Sequence, residues 1–271
     1  MIGAVAEFNS TERFTGIVLA AGRGERLAEP TAARPKQFRS LFDGQSTEIC
    51  AASLSLLKLA SCCGALRLVI PPDWSGAQVE QLLPRTLRLI RTVSSLSIVN
   101  GGCSRAESVQ RACEGLTETD YLLIHDAARP AVSLADLQRL CQVVEQTHEL
   151  SGALLAMPVT DTLKRADALA TVQATIDRGQ LWAAQTPQLV KTNEFVCQLA
   201  AEPNTAVTDD VSWLEQQGAV QLVAAADPNP KLTYGADLTL LQAYLPTQLN
   251  SLSTTQTLIG RWLRELSWST S

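Results

Sequence analysis

Near the start of the chain, glycines and cations crowd together. LAAGRGERL places Gly22 and Gly24 two apart with Arg23 and Arg26 around them, and Lys36 follows in RPKQF. Glycine lets backbone N–H groups approach phosphate oxygens closely, and the cations supply the charge that a triphosphate attracts. The spacing excludes two familiar phosphate loops. A P-loop needs glycine, four residues, then Gly-Lys-Ser/Thr, and a dinucleotide fingerprint needs glycine where Leu27 stands. What remains is a glycine loop able to wrap a triphosphate, with a structural turn bearing surface cations as the alternative.

A second group lies in HDAARP, His125 to Pro130, directly after the apolar run YLLI. An aspartate at the carboxyl end of a strand faces the crevice where open α/β sheets bind ligands, and its hard oxygens suit magnesium held mainly through substrate phosphates. Asp126 is therefore the metal candidate, the alternative being an aspartate that caps the following turn. His125 reads as a packed or hydrogen-bonded strand residue rather than a catalytic base. A third group is VNGGCSRAESV, where Gly101 and Gly102 precede a helix opening near Ser104. Bare amides and Ser108 there could read the edge of a base; a plain helix N-cap is the alternative, more natural for Ser104 than for Ser108. PVTDTLKRA, IDRGQLWAAQTPQ, TDD (Thr208 to Asp210) and PKLTYGADL are each weak alone.

The elements that must position these groups follow from periodicity. Apolar runs of strand length cover 15–20, 66–70, 96–99, 121–125, 153–158 and 219–224. Between them, residues 104–116 place Ala106, Val109, Ala112, Cys113 and Leu116 on one helical stripe, and 134–144 do the same with Leu134, Leu137, Leu140, Cys141 and Val144. Alternating strands and helices predict an α/β fold with a mainly parallel sheet covered on both faces. Residues 159–185 break the alternation, being rich in Thr, Asp, Lys and Arg, and read as a projecting arm. The division expected is an N-terminal extension 1–14, a domain 15–245 and a tail 246–271. In the tail, Leu258, Ile259, Trp262, Leu263 and Leu266 predict an amphipathic helix packed on its own domain or on a dimer mate; its polar face is hardly basic, which argues against a membrane surface.

Composition narrows the function. The 271 residues carry a net charge of -5 and no long basic run, so general nucleic-acid binding lacks its electrostatic footprint, and any anionic ligand must be met by local cations. Seven cysteines without a CxxC pair, and only two histidines, argue against zinc. No apolar run approaches bilayer length, no basic-then-apolar leader opens the chain, and reducing cytoplasm is the expected compartment.

Taken together, LAAGRGERL, PKQF, GG-x-x-R-x-x-SV, HDAARP, PV-x-DT-x-K, DR-x-x-LW-x-A-x-TPQ, TDD and K-x-T, in this order between Thr15 and Leu238, closely resemble the 2-C-methyl-D-erythritol 4-phosphate cytidylyltransferase family of the non-mevalonate isoprenoid pathway. The resemblance implies a Rossmann-like nucleotidyltransferase fold, a homodimer with an exchanged arm and shared active sites, CTP as donor, a small polyol phosphate as acceptor and Mg2+ as cofactor. It places Ala20, Ala21, Gly22, Gly24, Arg26 and Lys36 in the triphosphate loop, with Arg26 and Lys36 stabilising charge. Gly102, Cys103 and Ser108 match the cytosine-reading turn, although Cys103 stands where some members carry an acid. Asp126, Ala127 and Arg129 match the ribose and metal segment, Thr162, Arg178 and Thr186 the acceptor positions, and Lys231 the second catalytic lysine.

The chemistry so implied needs no general base, because a phosphate monoester is already anionic at neutral pH. Its barrier is electrostatic, and Arg26, Lys36, Lys231 and magnesium at Asp126 would meet it. Arg178 is expected to hold the acceptor's phosphate as a bidentate guanidinium, with Thr162 adding a neutral hydrogen bond. The rivals are a ribitol-phosphate cytidylyltransferase, which shares the fold and both lysines, and a catalytically silent nucleotide-binding protein. A Rossmann dehydrogenase is disfavoured by Leu27.

Overall fold

The uncharged run Phe14–Leu19 forms the first strand (β1) and is buried along almost its whole length. The computed structural model of the chain describes residues 11–22, 34–116, 119–201 and 209–269. Next come α1 (Ala51–Leu59), β2 (Ala65–Ile70), α2 (Gly76–Leu82), α3 (Pro84–Ile90), β3 (Ser95–Asn100), α4 (Arg105–Cys113), β4 (Tyr121–Asp126), α5 (Leu134–Gln146) and β5 (Leu150–Pro158). The remainder comprises β6 (Leu163–Ala166), β7 (Val172–Ile176), β8 (Trp182–Lys191), α6 (Thr192–Ala201), β9 (Ala219–Ala224), α7 (Gly235–Ser253) and α8 (Leu258–Glu265). Seven strands form one sheet in the order β3-β2-β1-β4-β8-β5-β9, while β6 and β7 pair only with each other.

The pleat explains why the sheet is covered on both sides. Along β4, Tyr121 and Leu123 enter one apolar core while Leu122 and Ile124 enter the other, and β1 splits in the same way, with Val18 on one side and Ile17 on the other. Successive side chains of a strand point to opposite faces, so a run apolar at every position is stable only when both faces are buried. The same parity governs the site. His125 falls on the face of Tyr121 and Leu123, packed by α1 and α5, and Asp126 falls on the face of Leu122 and Ile124, packed by α4.

All six strands expected from the apolar runs are present, β5 beginning earlier, at Leu150. The two predicted helices are present as α4 and α5, and each has a serine N-cap, Ser104 accepting from Glu107 N and Ser133 from Asp136 N. Three features differ from expectation. First, β8 was not foreseen: it runs antiparallel between β4 and β5, within a sheet that is otherwise mainly parallel as expected. Its first residues, Trp182, Ala183 and Ala184, are exposed and read as part of the arm, yet Trp182 already pairs with Pro158, so the sheet resumes before residue 185. Second, the stretch read as an arm holds a regular element of its own. Its centre is the antiparallel β6–β7 ribbon, most of whose residues are exposed. Third, the boundary drawn at 245/246 falls inside α7, whose apolar positions Leu241, Leu245 and Leu249 run through it into the core. The tail helix α8 buries Ile259, Trp262 and Leu263 on the chain's own domain, and Trp262 Nε1 donates to Thr86 Oγ1 on α3 at 3.0 Å.

Candidate active site

At the carboxyl edge of the sheet, β1 and β4 end level, with Leu19 beside Asp126, and the chain continues the pattern as Ala127 N donates to Leu19 O at 3.0 Å. Ala20 N donates to Val69 O and Gly101 N to Ile70 O, both at 2.8 Å, so the segments leaving β1 and β3 stay against β2. They also touch each other. A Cβ added to Gly101 would lie 2.6 Å from the Ala21 Cβ and 2.8 Å from Ser108 Oγ, so only glycine allows the two turns to close up. Gln37 clamps the first turn, donating to Ala20 O at 2.5 Å and Gly22 O at 2.9 Å, and this sets the adjacent half-buried Lys36 beside the loop.

Asp126 is the electrostatic centre. It is 8% exposed, and its Oδ2 accepts from Lys231 Nζ at 2.6 Å while Oδ1 lies 3.5 Å from an Arg105 guanidinium nitrogen. Burial alone would raise its pKa, but Arg105, and then Lys231, outweigh burial and hold it at about 2. Arg105 in turn binds Asp210 in bidentate fashion at 2.7 and 2.6 Å. Burial works against that guanidinium's charge, yet Asp210 more than compensates and raises its pKa. Asp210 itself is fixed by its backbone, whose N–H donates to Gln188 Oε1 on β8 at 2.7 Å.

His125 occupies the opposite face, fully buried, and burial pushes its pKa down to about 3. Its Nε2 lies 3.1 Å from Arg129 O, which only accepts, so Nε2 carries the proton and Nδ1 accepts from the Thr186 hydroxyl at 3.1 Å. That hydroxyl also receives Asp126 N–H at 3.0 Å. His125 is thus a neutral clasp between β4, β8 and the turn, the packed role expected of it. The segment bearing Lys231 is tied to the same turn: Leu232 N donates to Ala128 O, Arg129 donates to Asn229 O and Asn229 Nδ2 donates to Thr186 O, each at 2.8 Å. Buried Arg129 Nε, Asn229 Oδ1 and Gln185 Oε1 have no hydrogen-bond partner among the described residues, so polar groups are available to a ligand beside Thr186.

Of the residues singled out in the sequence, Ala20, Ala21, Gly22, Lys36, Gly102, Cys103, Ser108, Asp126, Ala127, Arg129, Thr186 and Lys231 lie at this edge or in the segments that cover it. Arg23, Gly24 and Arg26 fall outside the described residues, as does Thr208. Thr162 and Arg178 do not join the cluster. Both are exposed at the base of the β6–β7 ribbon, and neither side chain has a polar partner among the described residues. Sequence reasoning passed over Arg105, Asp210, Gln188 and Asn229. For the first two the signals were present, as the arginine of GG-x-x-R and the last residue of TDD. A cavity of about 580 Å³ opens elsewhere, at the amino end of β4, but its cations Arg13 and Lys191 are paired with Asp120 and Glu194.

Asp126, an ionised carboxylate flanked by Arg105 and Lys231, stands at the carboxyl edge of a mainly parallel sheet with the turns after β1 and β3 to one side of it, an arrangement suited to an α/β nucleotidyltransferase. Residues 14–247 match the family of 2-C-methyl-D-erythritol 4-phosphate cytidylyltransferases (IspD), and the chain belongs to that family. The enzyme of that name from Acinetobacter baylyi is 36% identical over 240 residues, covering 86% of this chain and 93% of its own, and that from Photobacterium profundum is 34% identical over 244 residues, covering 87% and 97%. A crystal structure of a 4-diphosphocytidyl-2C-methyl-D-erythritol synthase, 28% identical, superposes with a TM-score of 0.64 over 86% of this chain and 99% of its own. The corresponding enzyme of Anaerococcus prevotii, 20% identical, shares the fold with a TM-score of 0.69 over 89% and 99%.

Proposed function

We propose that this chain transfers the cytidylyl group of CTP to 2-C-methyl-D-erythritol 4-phosphate. An oxygen of the acceptor's phosphate attacks the α-phosphorus, the bond from that phosphorus to the β-phosphate oxygen breaks, and pyrophosphate leaves with the bonding electrons. The observation that carries the reading is the Arg105–Asp126–Lys231 cluster beside two glycine turns, a local concentration of positioned charge in a chain whose net charge is -5. Two anions must meet in line, so cations fixed before the substrates arrive lower the barrier without reorganising. Lys36 and Lys231 stabilise charge on the phosphates, as does Arg26, which lies outside the described residues. Ala20, Ala21, Gly22 and Gly24 cradle the triphosphate, Gly102, Cys103 and Ser108 receive the base, and Asp126 and Ala127 lie toward the ribose. Arg129, Thr186, Thr162 and Arg178 take the acceptor.

Magnesium fits Asp126 by donor chemistry: the carboxylate is ionised, hard and at the crevice. Among the described residues no three His, Cys, Asp or Glu side chains gather as a metal cage, which agrees with an ion held mostly by substrate phosphates. Bound there, it would add positive charge to the phosphate cluster. The ribbon supports a homodimer, since Leu169, Val172 and Trp182 are exposed apolar groups on or beside it, and Arg178 would then reach the mate's crevice. Among the described residues no helix is long and apolar enough to cross a membrane, and cytoplasm remains the compartment we propose. The test mixes purified protein, CTP and magnesium with a panel of polyol phosphates that includes ribitol phosphate. Pyrophosphate and a CDP-alcohol should form with the methylerythritol acceptor; formation only with ribitol phosphate would reassign the enzyme.

A further inference from the structure

At the opening of α4 three hydrogen-bond donors are engaged internally. Gly102 N–H donates to Ser108 Oγ at 3.0 Å, Cys103 N–H to Glu107 Oε2 at 2.6 Å, and the Ser108 hydroxyl to Ser104 O at 2.8 Å. Arg111 fixes the arrangement from the next turn of the helix, donating to Gly101 O at 2.8 Å and to Glu107 Oε1 at 2.6 Å. Among the acceptors this turn still offers a ligand, the remaining lone pairs of the Glu107 carboxylate are the charged ones.

Glu107 is built into the turn. A Cβ placed on Gly102 would fall 2.2 Å from Glu107 Cδ, so the carboxylate fills the space that any other residue at 102 would claim. Its side chain nevertheless remains 36% exposed, within reach of a bound molecule. The Cys103 N–H, and then Arg111, keep its pKa below the ordinary value, so at neutral pH it accepts hydrogen bonds and donates none. Cytosine carries an amino donor at position 4, where uracil carries a carbonyl acceptor. An acceptor-only carboxylate attracts the first and repels the second.

We infer that Glu107 is a specificity-determining residue whose carboxylate accepts the 4-amino group of the nucleotide's cytosine and thereby excludes UTP. The inference rests on residues 101–108 being the base-reading turn of the proposed reaction.

The experiment compares CTP with UTP, by calorimetric binding and by kcat/KM at saturating acceptor, in wild type, Glu107→Gln and Glu107→Ala. Melting curves verify that each variant is folded. Glutamine keeps an oxygen for Cys103 N–H and presents an amide donor to the uracil carbonyl. The CTP-to-UTP preference should therefore fall by at least about fivefold in both assays, the low end for one base-edge contact, with UTP gaining in absolute terms. Alanine should lower the preference through loss of CTP alone. A glutamine variant that keeps the wild-type preference, or that loses both nucleotides equally, overturns the assignment. Binding measures the preference without any chemistry, so absent turnover with intact base preference would count against the proposed reaction and not against Glu107.

Discussion

The edge of the sheet and the β6–β7 ribbon both carry residues assigned to the same reaction, yet they are held in opposite ways. Arg105, Asp126, Asp210 and Lys231 are mutually paired, and the two carboxylates are buried to within 8% and 2% of exposure. Thr162 and Arg178 are exposed, and neither side chain has a polar partner among the described residues. Charges taken out of water persist only when paired, so the first group is fixed by its own chain before any substrate arrives. A guanidinium left in solvent has no such constraint. The sheet edge is thus the prepared half of the proposed site, and in the proposed homodimer the mate would supply the surface that positions Arg178.

Replacing a lysine of the prepared half should have the largest effect. Lys36→Ala and Lys231→Ala should each lower kcat by roughly 100-fold to 1,000-fold, the scale of one lost transition-state contact; melting temperature should stay nearly unchanged in the first and fall in the second, which takes a paired charge from the buried Asp126. Turnover within a few-fold of wild type in either variant would remove that lysine from the chemistry.

The contrast between the regions sharpens in a mixing experiment. Arg178→Ala should also be inactive, and it should melt like wild type, because an exposed and unpartnered side chain contributes within about 0.5 kcal/mol. Exchanging subunits between Lys36→Ala and Arg178→Ala dimers should restore about a quarter of wild-type activity, since half of randomly formed dimers are mixed and each has one intact site. Proven exchange without recovery would place both residues in the same chain's site and dissolve the distinction.

A smaller loss is expected at the carboxylate. Asp126→Asn keeps shape but not charge, so activity at low magnesium should fall about 10- to 100-fold, the equivalent of one charge-assisted hydrogen bond, and excess magnesium should recover part of it. An unaltered magnesium titration would leave Asp126 as a turn residue that anchors Lys231.

The smallest effect concerns the support beneath the site. Lys58 on α1 is fully buried, donates to Pro130 O and Gln248 Oε1 at 2.6 Å each, and burial lowers its pKa from 10.5 to about 7. The unfolded chain therefore binds an extra proton between pH 7 and 10.5, so stability should rise with pH through that window. His125, lowered from 6.5 to about 3, should give a separate rise between those values. Melting temperature should climb by roughly 2–4 °C per kcal/mol gained, and Lys58→Met should flatten the upper rise while leaving the lower one. An upper slope identical in the variant would assign it to other groups.

Much of the prepared half-site could be read from the sequence because its parts are local. A strand ending in His125 and Asp126, a glycine pair before a serine-capped helix, and Lys36 after a glycine loop are each signalled within a dozen residues. The pairings were not legible. Arg105 with Asp210, and Asp126 with Lys231, each join positions 105 apart, and nothing in local periodicity reports a contact made by the fold. β8 escaped for a different reason. Its first residues lie outside the core and lack the apolar pattern, while its later ones, Leu189 and Val190, are buried, so one strand combines two environments.

That divided strand has a thermodynamic consequence. β8 leaves the base of the ribbon, where Leu181 O accepts Val159 N–H at 3.0 Å, and four residues beyond Trp182 it places the Thr186 hydroxyl against the Asp126 amide at 3.0 Å. A second copy gripping the ribbon would thus bear on the same rigid element that seats the carboxylate. Association and nucleotide affinity then become reciprocal quantities: whatever factor dimer formation adds to CTP binding, CTP must add to dimer formation. Sedimentation of dilute protein with and without CTP reads that factor directly, and a dimer constant indifferent to the nucleotide would mean that β8 carries no coupling between the two.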